Sequence, residues 1–417
     1  MINLIDKSKI SYFDYFYFFC IIIFAGGATM FARSFCVLGT LSNAFAILIT
    51  LAFVWKNRVR FNTKFVSVCI VFTLFAILTF IQNGRLSLMW LTIWWQNFVI
   101  VYALCYHFQN RIFTVYETII YHLSIISLVM WGLYLVMPGV VDTIVSVLQF
   151  SQSYPEDVNA KNMIVYTLLD VERENEFVSL PRNSGYAWEP GAFACFVCFA
   201  IFCNIIRTNF TLKKNISLFV LLAALFTTSS TTGYMILVVI LMFWIICNRK
   251  FFHMLYIIPI IIILFQQPFV QDKMMEEYAG IKDINLALYD EDTMHALGRF
   301  ASFQIDWEEF LRHPLLGLGG YSKGTLLMQQ GYDNIATISG IGKLLSRYGA
   351  IMALIFVLLL IKSAKAINKL FQTNNGWLLI VVIIGSMISY DSWMQPAVMI
   401  FWLFGLWNVG AQKESYE

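Results

Sequence analysis

Charge is scarce in this chain. Of its 417 residues only 13% are Asp, Glu, Lys or Arg, against 59% hydrophobic and 17% aromatic, whereas a soluble protein of this size is about a quarter charged. That shortage excludes a soluble globular enzyme and predicts an integral membrane protein. Cysteine is missing from both long polar segments: the eight cysteines, at 20, 36, 69, 105, 195, 198, 203 and 247, all lie in or beside apolar runs. No disulfide framework follows. Cys195 and Cys198 form a CxxC, but inside an apolar helix that pair reads as small-residue packing rather than redox chemistry or a metal site. The apolar interior is almost free of ionisable groups, since Asp14, Glu117 and Asp391 sit near predicted helix ends and His122 one turn in. Ion-coupled transporters need charge at mid-membrane, so that class is disfavoured. There is no Walker-type glycine loop either, and neither a metal, a cofactor nor a nucleic acid is expected.

What is present is a succession of apolar runs. A spanning helix needs about 20 such residues, and runs at 13–32, 36–55, 65–82, 86–106, 118–137, 191–206, 216–230, 232–247, 254–270, 335–361, 377–390 and 393–410 predict twelve helices. The first follows Lys7 and Lys9 and is read as a retained span, because it is long and the chain re-enters the membrane at once. Basic clusters at 56–64, 107–113, 207–215, 248–250 and 362–369 recur in alternate connections. The positive-inside rule makes that side cytoplasmic, with both termini on it. The other side has Arg33 and Arg85 in short turns and two long segments, 138–190 and 271–334, holding nineteen of the twenty-five acids. The expected organisation is therefore all-α and polytopic: 1–137 with five spans, the loop 138–190, 191–270 with four spans, the loop 271–334, and 335–417 with three spans and a tail. Loops this long are usually functional.

The first loop ends in "RNSGYAWEPGAFACF", residues 182–196. Pro190 in a helix's first turn, Glu189 near its positive end, Trp188 and Tyr186 at the interface and Gly185 in a turn form a coherent helix start. Arg182 does not fit that account, because a cation beside a helix N-terminus has the wrong sign unless it binds an anion. In the second loop, apolar residues at 300, 303, 307, 310 and 311 recur at helical spacing and predict an amphipathic helix on the membrane surface. It ends at Arg312, before His313 and Pro314. "GLGGY", to Tyr321, then lets backbone approach a ligand closely. His313 is either a hydrogen-bonded structural residue or part of a site. Lys343 and Arg347 share a helical face just inside the next span. They either snorkel to the interface or, with Arg182, Arg299, Arg312 and Lys323, form a cationic wall able to grip a diphosphate. "TTSSTTG" (227–233) predicts a tight hairpin between two short spans.

With these residues in view the chain resembles the O-antigen polymerase and O-antigen ligase superfamily of bacterial inner-membrane glycosyltransferases. "RNSGYAWEPGAFA" is similar to an Arg-x-x-Gly-x-x-x-Glu-Pro segment found before a span in many polymerases. "GRFASFQIDWEEFLRHPLLGLGGY" (298–321) is similar to the loop pattern of an Arg, a Trp and then His-Pro-x-x-Gly-x-Gly, and "SRYG" (346–349) to the span that follows it. The hairpin resembles the family's Ser-rich helix pair, with Thr where an Arg is common. Ligases that act on lipid A core resemble His, then Asn, Ser or Gln, then nine residues and Gly. Here Ser339 and Gly349 fit, but Ile338 stands in the histidine's place.

The resemblance implies polymerisation of undecaprenyl-diphosphate-linked oligosaccharide at the external face of the inner membrane. Arg182 and Arg299 would hold the leaving diphosphate, with Arg347, Lys343 and Arg312 behind them. Glu189 would be the general base and His313 the second candidate, while Tyr321, Trp188 and Gly185 would help bind substrate. A chain-length regulator and a flippase are the expected protein partners. The alternatives are a ligase, a transporter of lipid-linked oligosaccharide, and a non-catalytic assembly factor.

Overall fold

A computed structural model describes residues 10–27, 37–84, 88–149, 159–170, 181–247, 295–319 and 325–407, with isolated positions between them. Helix α1 (Tyr12–Phe24) starts at a capping box, in which the Asp14 N–H donates to Ser11 Oγ at 3.3 Å and the Ser11 N–H donates to Asp14 Oδ2 at 2.8 Å. It ends well short of the expected residue 32. Gly26 adopts φ +75°, where a Cβ would lie 2.6 Å from Pro396 Cδ, so the chain turns there against a later element. Helices α2 (Val37–Lys56), α3 (Thr63–Asn83), α4 (Leu88–Phe108) and α5 (Ile112–Val136) follow. Then come α6 (Pro138–Val147) and the antiparallel hairpin β1 (Asn159–Met163) and β2 (Tyr166–Asp170). The first expected loop thus has its own small core, because Val141 and Val145 of α6 pack on Tyr166, Leu168 and Met130.

Next are α7 (Pro190–Thr208), α8 (Ile216–Thr227) and α9 (Thr231–Cys247). In the second loop β3 (His295–Ala296) pairs in parallel with β4 (Ile335–Ala336), enclosing α10 (Arg299–Arg312) and the single turn α11 (Leu326–Gln329). The chain finishes with α12 (Gly340–Phe371), α13 (Leu378–Ser389), α14 (Pro396–Trp402) and α15 (Phe404–Trp407). The stretches Thr63–Asn83, Trp90–Val136, Pro190–Thr208 and Gly340–Phe371 are long and apolar enough to cross a membrane, and several helices of 10–17 residues are apolar but shorter. This is an all-α membrane protein.

Apolar all round, α7 is the central post, as such a helix must be. Every residue from Pro190 to Ile206 is buried, and α5, α8, α9 and α13 pack around it. Cys195 and Cys198 lie inside that post, with Cys198 Sγ 3.7 Å from the Gly233 carbonyl, and the described cysteines are free thiols. Leu51, Ile70, Leu74, Leu78, Leu354 and Leu358 on the outer helices are exposed, the surface that lipid covers. The threonine-rich stretch is a hairpin as expected. Thr228 Oγ1 donates to the Leu225 carbonyl at 2.7 Å and Tyr234 to the Phe226 carbonyl at 2.7 Å, so hydroxyls close the end of α8.

Contacts sort the helix termini into two ends. At one, Glu117 meets Arg207, His107 meets Asp14 and Asn375 meets Asn209. Lys56, Arg111, Lys213, Lys214 and Lys369 belong to the same helix termini, which makes this the basic end. At the other, Arg182 meets Thr228, Trp188 meets Tyr390 and Asn83 meets Gly317. Residues 182–188 and 313–319, from the two expected loops, lie at that second end.

Candidate active site

The site starts where α7 begins. Glu189 is the N-cap residue by backbone, with φ −157° and ψ 159°, yet its side chain makes no capping bond. Its Oε1 instead accepts from Trp188 Nε1 at 2.7 Å. Helix capping therefore does not explain this half-buried carboxylate. Gly185 needs its glycine: φ is +52°, and a Cβ would lie 2.6 Å from the Phe193 ring. Its N–H donates to Asn183 Oδ1 at 2.9 Å and its carbonyl accepts from the Thr167 N–H at 2.7 Å, so the β-hairpin is tied directly to the motif. Arg182 Nε donates to the Thr228 carbonyl at 3.1 Å. The cation that looked misplaced beside α7 thus lies at the negative C-terminal end of α8.

Tyr390, just beyond α13, is where these pieces converge, and nothing in the sequence singled it out. Its ring meets Trp188 edge to face at 5.7 Å. Its hydroxyl fills the place a Cβ on Gly191 would take and its carbonyl that of a Cβ on Gly340, so either side chain would collide. Glu189, Arg299 and Arg182 are all close enough to act electrostatically on the phenol. The starts of α7 and α12 and the end of α13 therefore meet at one residue, with one carboxylate and two arginines around it. Arg299 opens α10. Its Nη1 donates to Glu277 Oε1 at 3.2 Å, while its Nε is buried with no hydrogen-bond partner among the described residues. A buried N–H donor without an acceptor is costly, and a bound anionic oxygen would satisfy it.

Two turns further along α10 lies Asp306, also unforeseen. Its Oδ1 accepts from Thr337 Oγ1 at 3.2 Å and Ser346 Oγ at 3.3 Å, and its Oδ2 is buried against Gly342 without a partner among the described residues. Burial pushes the carboxyl up to about 7, against the pull of Lys343 and Arg347. The two cations of α12 therefore face this acid. The polar side of α10, with Ser302, Asp306 and Glu309, is its buried side. Phe300, Phe303, Trp307 and Leu311 point outward, the orientation expected of an amphipathic helix with its apolar face in lipid.

His313 and Arg312 stand at the far end of α10, about 20 Å along its axis from Arg299. Arg312 Nη1 lies 3.4 Å from Gln329 Oε1, and His313 Nδ1 lies 3.5 Å from Gln82 Nε2. The structure does not bring either to Glu189. Tyr321 and Lys323 lie outside the described residues.

The stretch after His313 does something else. Inside α12, Gly349 has φ +69° and ψ −179°, which breaks the helix. The break frees backbone groups on both sides, and residues 314–319 take them up. Ala350 N–H donates to the Pro314 carbonyl at 2.8 Å and Ile351 N–H to Leu315 at 3.2 Å. In return Leu318 N–H donates to the Ser346 carbonyl at 3.0 Å and Gly319 N–H to Arg347 at 2.8 Å. The His-Pro-x-x-Gly-x-Gly and Ser-Arg-Tyr-Gly motifs are thus two halves of one backbone clamp.

Comparison with known families bears on the segment containing α10 and the 314–319 half of this clamp. Residues 216–343 match the O-antigen ligase family. The match supports the O-antigen ligase and polymerase superfamily that the motifs resemble, and does not separate ligase from polymerase. No curated protein matches the chain. The O-antigen ligase segment runs from the first residue of α8 into the first turn of α12. It contains Arg299, Asp306, Arg312, His313 and Lys343. Arg182, Glu189, Tyr390 and Arg347 lie outside the O-antigen ligase match, and only the fold joins them to it.

Proposed function

We propose that this protein is a polysaccharide polymerase that transfers a glycan from a lipid diphosphate carrier to a hydroxyl of another lipid-linked repeat unit. The observation that carries the reading is the convergence of Glu189, Arg182 and Arg299 on Tyr390 at the loop end of the molecule, beside the segment that matches the O-antigen ligase family. In the transfer the anomeric C–O bond to the diphosphate breaks while a glycosidic C–O bond forms to the acceptor oxygen. The acceptor's proton passes to Glu189, whose carboxylate is oriented by Trp188. Negative charge grows on the departing diphosphate. Arginines aimed at it stabilise the transition state more than the ground state, and the Nε of Arg299, unpartnered among the described residues, is the donor best suited to the task. Arg182 is the second clamp, and Lys343 and Arg347 supply positive potential nearby.

On this reading the loop end faces outward from the bacterial inner membrane, both termini are cytoplasmic, and the donor is undecaprenyl-diphosphate-linked oligosaccharide supplied by a flippase. A chain-length regulator would act with it. Ile338 in place of the ligase-type histidine supports polymerase over ligase. The family match is equally compatible with a second reading, a ligase that moves glycan onto lipid A core. The test is the banding pattern of surface polysaccharide in a deletion strain carrying wild type, Glu189→Gln or Arg182→Ala. A polymerase predicts that both variants leave single repeat units on lipid A core and no ladder. Long chains persisting in both variants overturn the assignment, and loss of even single units indicates the ligase.

A further inference from the structure

At the basic end, as far from the candidate active site as α7 is long, about 27 Å, a cavity of about 480 Å³ opens between α5, α7 and α8. Arg207, Lys213 and Lys214 line it, and no carboxylate among the described residues does. Arg207 is set rigidly. Its Nε donates to Glu117 Oε2 at 3.1 Å and its Nη2 to both oxygens of that carboxylate at 3.0 and 2.9 Å. Asn204 and Ser217 each add a bond of 2.7 Å to Glu117 Oε1, so the acid's capacity is consumed on the far side of the guanidinium. Arg207 Nη1 and both lysine ammoniums have no partner among the described residues. The first turn of α8 completes the wall, and the N–H groups of Ile216 and Ser217 have no acceptor among the described residues. Two exposed lysines, the outward Nη1 of the Glu117-paired Arg207 and a helix N-terminus describe an anion site.

We propose that this cavity binds the phosphate group of an anionic phospholipid in the leaflet opposite the two long loops. Two features identify a lipid rather than a soluble phosphate. The cavity sits at the end of α7 and beside the N-terminal half of α5, both within stretches able to span a membrane. Its rim carries exposed Leu212, Ile216 and Phe219, apolar groups on which acyl chains lie while the phosphate reaches the cations. The ligand's charge is met by cations, while the neutralised Glu117 keeps the guanidinium from swinging away.

The test uses full-length protein in mild detergent, titrated separately with dioleoyl phosphatidylglycerol, dioleoyl phosphatidylcholine and inorganic phosphate, with binding followed by native mass spectrometry and melting temperature. The expected result is binding and stabilisation by phosphatidylglycerol alone. Affinity should fall roughly thirty-fold in Lys213→Ala/Lys214→Ala, whose two side chains are exposed and make no internal bonds. Charge reversal in Lys213→Glu/Lys214→Glu should abolish it. Equal binding of phosphatidylcholine, or undiminished phosphatidylglycerol binding by the double variants, overturns the site. An equal response to inorganic phosphate overturns the lipid headgroup in favour of a soluble anion.

Discussion

Arg299 shows why side-chain type matters more than charge in the candidate site. Lysine in its place keeps the cation but cannot offer a guanidinium Nε–H, so Arg299→Lys is expected to lose at least ten-fold in glycan transfer. Transfer by purified protein from a lipid-diphosphate donor measures it, and activity equal to wild type would remove Arg299 from the diphosphate clamp. Asp306 gives a prediction of opposite character. Its carboxyl is held near 7 in the folded protein, far above its ordinary 3.8, so the stability that it lends is complete below about 4 and lost as pH rises through about 7. Over that window each pH unit removes up to about 1.4 kcal/mol. Melting temperature in detergent should fall between pH 4 and 8, and Asp306→Asn should flatten the curve. A variant with the wild-type slope would show that another group is responsible.

Among elements, the clamp between α12 and residues 314–319 is the most exacting. Alanine at Gly349 would have to adopt φ +69° with its Cβ against the Leu315 carbonyl, and unclamped backbone in an apolar setting costs several kcal/mol per group. Gly349→Ala should therefore fail to accumulate as folded protein, whereas Ala350→Gly, one residue on and exposed, should be tolerated; size-exclusion profiles in detergent distinguish them. The sequence shows the two motifs but not that they bond to each other, because reciprocal backbone bonding leaves no mark on side-chain identity. The start of α7, the hairpin before α9 and the amphipathic α10 were readable, since each rests on local periodicity or turn chemistry. Tyr390 and Asp306 were not. Tyr390 looks like any aromatic at a span's end, and Asp306 is one of many acids in its loop until the packing of α10 on α12 buries it. The contact of Arg182 was not readable for the same reason, as its partner carbonyl at Thr228 belongs to a different helix.

For the whole molecule, one buried ion pair ties the start of α5 to the end of α7. Glu117 is almost fully buried, and removing one partner of such a pair costs about 3–5 kcal/mol, whereas the exposed side of Arg207 reduces its own share. Glu117→Gln should melt several degrees lower than wild type, and Glu117→Gln/Arg207→Gln should lose less than the two single changes summed. Strict additivity would show that the residues act independently. The sorting of helix termini into two ends makes a further claim about orientation. Single cysteines at Lys213 and Glu308, in a cysteine-free background, should react with an impermeant thiol reagent from opposite sides of sealed vesicles. Reaction of both from one side would contradict the arrangement.

The outward stripe of Phe300, Phe303, Trp307 and Leu311 acts as a depth gauge. Aromatic and leucine side chains settle a surface helix at the boundary between headgroups and acyl chains, and Arg299 opens that same helix. Immersion of the stripe would thus fix the height of the guanidinium. On the proposed reading, that height is where a lipid carrier naturally keeps its diphosphate, so the scissile bond need not be lifted out of the membrane before the reaction begins.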